Sequence, residues 1–431
     1  MKKIASSIRL LALGGAGLQA VAALAGDSGR PLTASLTLDG FYDDNINSFP
    51  DSAKLPSGHS RGSTGFEVTP AFALNWPWDE QTKLTGGYAY TFKYYGERPV
   101  ANSENYDQIH VFNLALTHSF NENYQATVKD SFVIGQEPDL LRAENAFSTY
   151  SRVSGDNLRN SGTVVLDGKL TPVLGFEASY GATLYEYSDT YLPPGGFAFP
   201  STGGILNRIE QAVKLDSRWQ LLPETVGVLG YQHSETSYIG DQQIDAGGDT
   251  SEARNNRSEY GYVGADQQFG KAISGGLRLG AHYTDYYNDP QQSGDVSPYV
   301  QLHLRYTYGP ESYLEAGFTY DRAATDLVGT GGPSGVTVDS QSSVLYANLR
   351  HRLASGLYGS VMSQFQNSDY NGGIYNGKAE QFYTIGLHLD YSFTSNLSGH
   401  IGYNYDRLDS EAPMNRSFDR NRVYLGITAT Y

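Results

Sequence analysis

Apolar and polar side chains alternate residue by residue along most of the chain. Between residues 84 and 94, Tyr88, Tyr90 and Phe92 share one face, and small or polar side chains occupy the other. Residues 297–308 and 382–393 repeat the pattern. A period of two residues indicates a β-strand with one apolar and one polar face, whereas a helix would scatter these rings around its axis. The pattern predicts an all-β chain.

Eighteen segments show this alternation, and the links between them alternate in length. The segments start near residues 31, 64, 82, 108, 124, 158, 175, 207, 225, 258, 274, 297, 313, 342, 357, 382, 397 and 421. Eight links are short turns, and nine are longer and polar, roughly 43–62, 95–107, 136–157, 188–206, 240–257, 288–296, 323–341, 369–380 and 408–420.

Strict alternation of link length is typical of a transmembrane β-barrel with short periplasmic turns and long extracellular loops. An even number of strands also lets the last strand pair with the first, which removes edges that hydrocarbon would not tolerate. A soluble β-sandwich or propeller is the alternative, but its strands are typically about 5–6 residues long. We therefore predict a transmembrane antiparallel up-and-down β-barrel of about 18 strands.

The first residues predict an export signal. Lys2, Lys3 and Arg9 accompany an apolar stretch over residues 10–24 that ends in small side chains. This order is typical of a secretory signal peptide, and the stretch is too rich in glycine for a spanning helix of about 20 strongly apolar residues. We predict a signal peptide at residues 1–25, cleaved after Ala25, and an outer-membrane β-barrel at residues 26–431.

Composition narrows the chemistry further. The formal net charge of −16 argues against nucleic acid as a partner, and the absence of cysteine excludes disulfides and thiolate metal sites. The chain has no G-x-S-x-G elbow, no H-E-x-x-H pair and no cysteine nucleophile. We therefore predict no catalytic residue, no metal and no cofactor, and a protein that is not an enzyme.

A barrel of eighteen strands is wider than its own side chains can fill, so a water-filled lumen is expected unless loops plug it. The predicted pore-lining residues carry both signs of charge: Glu67, Lys93, Lys214, Arg218, Arg278, His303, Arg305, Glu315, Arg350, His388 and Asp390. A mixed lining suits a weakly selective passage. For most of these residues, pairing across neighbouring strands that stiffens the wall is the alternative interpretation.

The third long link is the candidate constriction. Residues 136–157 carry four charged side chains around a short apolar stretch: Glu137, Asp139, Arg142 and Glu144. We expect this link to fold inward by analogy with general diffusion porins, whose third long loop narrows the pore. The chain has no recognisable porin eyelet motif, and such porins usually have sixteen strands.

Aromatic side chains cluster where strands end, as expected for rings at the headgroup level of a membrane. Three lie at short turns and six precede long links: Trp76, Trp78, Trp219, Tyr94, Tyr95, Tyr185, Tyr187, Tyr286 and Tyr287. For the six tyrosines, a role as ordinary strand formers is the alternative interpretation. The last strand, residues 423–431, ends in Tyr431. It resembles the C-terminal signature read by the barrel-assembly machinery of outer membranes, although that signature usually ends in Phe.

Residues 41–46, Phe-Tyr-Asp-Asp-Asn-Ile, resemble the opening of a family of outer-membrane β-barrel porins, some of which are associated with exopolysaccharide gene clusters. The resemblance implies an outer-membrane channel for passive passage of small hydrophilic solutes, in contact with lipid and with the assembly machinery. An exopolysaccharide export conduit and a plugged structural or adhesive barrel are the alternatives. Homo-oligomerisation and calcium binding by the Asp- and Asn-rich loop are left open.

Overall fold

The computed structural model describes residues 31–51, 55, 60–98, 104–135, 157–188, 202–240, 242–244, 248–289, 294–328, 336–412 and 416–431. The predicted signal peptide and its cleavage site at Ala25 lie outside these residues, so the predicted domain boundary stays a prediction.

The described residues form eighteen β-strands, each starting within three residues of its predicted start. They are β1 (Leu32–Asp43), β2 (Ser63–Pro77), β3 (Thr82–Tyr95), β4 (Tyr106–Ser119), β5 (Tyr124–Gly135), β6 (Asn157–Lys169), β7 (Leu174–Tyr187), β8 (Arg208–Leu222), β9 (Thr225–Tyr238), β10 (Asn256–Phe269), β11 (Ile273–Asp285), β12 (Asp295–Gly309), β13 (Ser312–Ala323), β14 (Asp339–Ala354), β15 (Leu357–Asn371), β16 (Ala379–Ser392), β17 (Leu397–Ser410) and β18 (Phe418–Thr430).

Each strand pairs antiparallel with its neighbours in sequence, and β18 pairs with β1. This closing pair runs from Ser35 opposite Thr430 to Asp43 opposite Arg422. Beyond it, the Tyr431 amide donates to the Ala34 carbonyl at 2.8 Å, and the Ala34 amide donates back at 2.9 Å. The ring is therefore a closed barrel without a free edge, as predicted.

The links alternate as expected, with eight short turns at one end of the barrel and nine long links at the other. We call these the short-turn end and the long-loop end. Gly270 and Gly356 lie in two of the short turns with φ of 67° and 74°, a left-handed conformation that tight hairpins need and glycine adopts at little cost.

Helical structure among the described residues is limited to short pieces in the long links. These are α1 (Thr202–Leu206) and two 3₁₀ turns, Ser251–Arg254 and Gly373–Tyr375. No helix in the described part of the chain has the length and apolarity needed to cross a membrane.

The outer surface of the barrel is an apolar belt. Large apolar side chains on one face of each strand are exposed, among them Leu38, Leu229, Val263 and Leu425. Exposed aromatic rings mark the short-turn end of this belt: Trp76, Trp78, Phe120, Trp219, Phe269 and Phe393. Such a belt, with rings at its border, suits contact with the hydrocarbon and headgroups of a bilayer.

The predicted ring of tyrosines near the long-loop end is wrong in part. Tyr94 is 37% exposed on the outer face, but Tyr95 is only 1% exposed and lies inside the barrel. Tyr187 and Tyr286 are also buried. Successive side chains of a strand point to opposite faces, so only one member of a neighbouring pair can reach the headgroups.

Inside the barrel, three tyrosine rings lie over glycines of the neighbouring strand. The directly opposed pairs are Gly230 with Tyr262, Gly317 with Tyr346, and Gly402 with Tyr424. A Cβ atom added at any of these glycines would overlap the facing ring. The glycines therefore give these rings room to lie flat against the wall.

Candidate functional site

The candidate site is the inner face of the barrel. All eleven predicted pore-lining residues lie on the strand faces opposite to the exposed apolar belt. Glu67 and Lys93, for example, face each other across β2 and β3, while their sequence neighbours Phe66 and Tyr94 are exposed on the outside. The period-two register therefore brings the polar half of each strand to the lumen.

Most of these charged residues are paired along the wall. The shortest distance between Lys93 Nζ and Glu67 is 3.1 Å, and between Arg305 Nη1 and Glu315 it is 2.8 Å. Lys214 Nζ lies 3.3 Å from Asp216 on the same strand. Paired charges present a weaker net field to a passing ion than isolated ones would.

A longer network runs around the wall from β7 to β11. Arg218 donates to Glu177 at 2.9 Å and to Asp266 at 3.3 Å. Asp266 also accepts two hydrogen bonds from Arg278, at 2.9 and 3.0 Å. Glu177 and Asp266 were not among the predicted site residues, although the same alternation that located their partners would have located them.

The same wall carries a buried tyrosine that reaches across a strand. Tyr262 on β10 donates to Asp216 on β8 at 2.5 Å, passing over β9 at Gly230. Its ring is nearly inaccessible and packs with Tyr260 and Val228. These rings are part of the wall, and their faces are not free to stack on a solute.

Two arginines near the short-turn end lie over tyrosine rings. The guanidinium of Arg305 is 4.0 Å from the centroid of Tyr313, and that of Arg350 is 4.9 Å from the centroid of Tyr358. Among the described residues, no carboxylate forms an ion pair with Arg350, in contrast to Arg305. A cation held on a ring face keeps its charge directed at the lumen.

Histidines form a second group on this face. His388 lies 2.8 Å from Asp390 and 3.1 Å from the Tyr424 hydroxyl, and it stacks on His400 with ring centroids 5.6 Å apart. His400 in turn hydrogen-bonds Asp39. The sequence predicted His388 and Asp390 in the lumen, but it could not give His400 its partner, because Asp39 is 361 residues away. His303 lies against the wall at Gly276.

The acidic side chains at the start of the first loop are hydrogen-bonded to the last strand, β18. The Arg420 Nε donates to both carboxylate oxygens of Asp43, at 3.1 and 3.0 Å, and Asn421 donates to Asp44 at 2.7 Å through both its amide groups. The described residues contain no group of three or more His, Asp or Glu side chains suited to hold a metal ion. The Asp and Asn side chains of this loop therefore serve to join the first loop to the last strand.

The long links pack against one another at the long-loop end, which the sequence did not predict. Ile244, Tyr286, Val328, Val336 and Val338 form one buried apolar cluster drawn from three links. A second cluster contains Leu327, Tyr370, Tyr375 and Ala412. The predicted constriction residues Glu137, Asp139, Arg142 and Glu144 lie outside the described residues.

Comparison with solved structures finds other outer-membrane barrels of similar extent. OpdK of Pseudomonas aeruginosa, solved with vanillate, is 14% identical over 93% of this chain and 99% of its own, with a TM-score of 0.44. OccAB4 of Acinetobacter baumannii is 11% identical over the same shares, with a TM-score of 0.45. OprD of Pseudomonas aeruginosa is 13% identical over 93% and 95%, with a TM-score of 0.40.

No curated protein matches the sequence. The profile of the family described as "Putative beta-barrel porin 2" matches residues 207–431, which is just over half of the chain. This match confirms the porin family that residues 41–46 had suggested. The matched region, residues 207–431, does not include those residues. The chain belongs to this porin family and is a porin-like β-barrel of the outer membrane.

Proposed function

We propose that the barrel is a passive channel for small hydrophilic solutes. The observation that carries the proposal is the closed ring of eighteen strands with polar and charged side chains on its inner face. Among the described residues, substantial backbone contacts between strands occur only between ring neighbours. A ring of eighteen strands is wider than its own side chains can fill, which supports a water-filled lumen.

The charge pattern supports weak ion selectivity. The eleven residues that we propose to line the pore include two pairs of opposite charge that neutralise one another, Glu67 with Lys93 and Arg305 with Glu315. Rings of one sign would select strongly for ions of the other, and this face has no such ring among the described strands. Passage by diffusion requires neither catalysis nor a cofactor.

The two rival functions have less support. An exopolysaccharide conduit would use lumenal tyrosines as stacking surfaces, but Tyr260 and Tyr262 are buried in the wall. A plugged structural barrel would need its lumen filled, and the packing of links described above is confined to the long-loop end.

The test is single-channel recording with purified protein in a planar bilayer. We expect stepwise current increments with a low preference between potassium and chloride. Heat-unfolded protein in the same detergent is the control. Stable insertion without current would overturn the channel function and favour a plugged scaffold. If the protein conducts, the swelling rate of protein-containing liposomes in sugars of increasing size gives the largest solute that passes the channel.

Export and assembly form part of the same proposal. Tyr431 points away from the lumen, its side chain is exposed, and its backbone is hydrogen-bonded to Ala34 of β1. This placement suits a terminal aromatic residue read by the assembly machinery before the barrel closes. Tyr431→Phe should assemble as well as the native chain, whereas Tyr431→Asp should lower the yield of folded barrel in outer membranes.

Cleavage after Ala25 can be checked by sequencing the mature N-terminus.

A further inference from the structure

We infer that residues 325–328 and 336–338, both in the link between β13 and β14, form a bridge across the channel mouth and set its narrowest section. We call these residues the mouth bridge. The inference rests on the proposed channel function and adds to it the element that limits passage.

One side of the mouth bridge is held by Arg254, in the link between β9 and β10. Arg254 is fully buried, and its Nη1 donates to the Ile205 carbonyl of the preceding long link at 2.8 Å. Its Nη2 donates to the Thr325 carbonyl. The guanidinium also lies 4.4 Å from the centroid of the Tyr238 ring. A buried charge with these partners fixes the position of residue 325 relative to two other links.

The other side is held by Arg416, in the link between β17 and β18. Arg416 donates to Asp326 at 2.9 and 3.2 Å and to Glu380 at 2.7 Å from each of two nitrogens. Burial alone would lower the pKa of Arg416, but Asp326 and Glu380 raise it well above its usual value. Arg416 therefore carries its charge at any physiological pH, and its bidentate contact with Asp326 fixes the position of residue 326.

The strand order shows where residues 325 and 326 must lie. The links that carry Arg254 and Arg416 are eight strands apart on a ring of eighteen, which is close to opposite. Two adjacent residues on the rim above β13 could not contact both links at once. Contact with both requires this segment and its partners to converge over the opening, so the mouth bridge lies across the lumen.

Apolar side chains of the mouth bridge are buried on both of its sides. Val336 and Val338 are buried with Ile244 and Tyr286, on the side of Arg254. Leu327 is buried with Tyr375 and Ala412, on the side of Arg416. Burial of apolar side chains on both sides stabilises one arrangement of the links over looser ones. The mouth bridge is therefore a fixed constriction, not a freely moving loop.

The experiment compares Asp326→Ala, Arg416→Ala and the double variant with the native chain. Both single variants break the ion pair between Asp326 and Arg416, so both should raise single-channel conductance, and the double variant should raise it by less than the sum of the two effects. A second readout uses the absence of native cysteine. In Thr319→Cys, on the inner face of β13, labelling by a bulky hydrophilic maleimide in outer-membrane vesicles should accelerate several-fold when Asp326→Ala is added.

Arg407→Ala is the matched control. Arg407 is on β17, points outward, and pairs with Asp409 at 2.9 Å without contact to the mouth bridge. It should leave conductance and labelling unchanged. Unchanged labelling in both Asp326→Ala and Arg416→Ala would overturn the mouth bridge, even if the native barrel conducts. Faster labelling without any ionic current would support the mouth bridge and overturn the proposed channel, so the two failures are distinguishable.

Discussion

His400 on β17 and Asp39 on β1 are joined by a hydrogen bond of 2.5 Å that passes over the intervening strand β18 at Gly426. The contact links the first strand to the penultimate one across the seam where the barrel closes. A Cβ atom at Gly426 would overlap the Asp39 carboxylate and approach the Leu38 carbonyl at 2.7 Å. Glycine at this position is therefore required for the first and last parts of the chain to meet.

Gly426→Ala should destabilise the closed barrel by about 1–3 kcal/mol, because the added methyl group displaces Asp39 and overpacks the seam. The measurement is the temperature at which the folded, fast-migrating form is lost on gels in SDS. Gly40→Ala is the matched control, since Gly40 is on β1 near the same seam and a Cβ atom there has nothing within 4 Å. Equal melting of the two variants would contradict this account of the seam.

Arg350→Gln should shift the reversal potential toward cation preference. Its charge has no carboxylate partner among the described residues, so its removal changes the field in the lumen. The combined Glu67→Gln and Lys93→Gln variant is the control, because it removes one charge of each sign from a 3.1 Å pair. The measurement is the reversal potential in a potassium chloride gradient. A larger shift in the control than in Arg350→Gln would refute the pore-lining roles proposed here.

Alkaline pH should loosen the mouth. Burial, together with the nearby Asp339 carboxylate, raises the pKa of Tyr286 well above its usual value. The unfolded mouth loses this proton at a lower pH than the folded one, so the stabilisation is present below about pH 10 and is lost as the pH rises above it. Single-channel conductance of the native chain should therefore rise at alkaline pH.

Tyr286→Phe removes this ionisation and should move the onset of the conductance increase to higher pH. Tyr375 is also buried in a long link, and burial raises its pKa. Its ionisation will therefore still loosen the mouth at alkaline pH in this variant. An onset at the same pH with and without the Tyr286 hydroxyl would show that this residue does not control the transition.

Deleting residues 139–147 should enlarge single-channel conductance if the third long link folds into the pore, as the analogy with diffusion porins suggests. The deleted residues do not include any residue of the mouth bridge. Unchanged conductance would show that the third link does not narrow the pore. The mouth bridge, residues 325–328 and 336–338, would then remain as the candidate constriction.

The sequence predicted the architecture well because each strand carries its own evidence. Alternation assigns every residue of a strand to one face, so Lys93 and His388 could be assigned to the lumen from local sequence alone. Link lengths then set the strand count and the two ends of the barrel. The same rule, applied to Tyr94 and Tyr95 individually, would have avoided placing both rings at the membrane surface.

Contacts between remote segments could not be read in this way. Asp39 and His400 are separated by 361 residues, and Asp326 and Arg416 by 90. Their pairing depends on register and on the curvature of the closed ring, which no local pattern encodes. The partners of each charge, and the packing of the long links at the mouth, therefore required the structure.

The tyrosine rings that lie over Gly230, Gly317 and Gly402 have a consequence for solute movement. A ring packed on bare backbone lies along the wall, so it takes little width from the lumen at its height. Thermal motion of these three rings should then change the width of the lumen very little. Current through such a tube should rise on warming only as fast as the mobility of ions in bulk electrolyte.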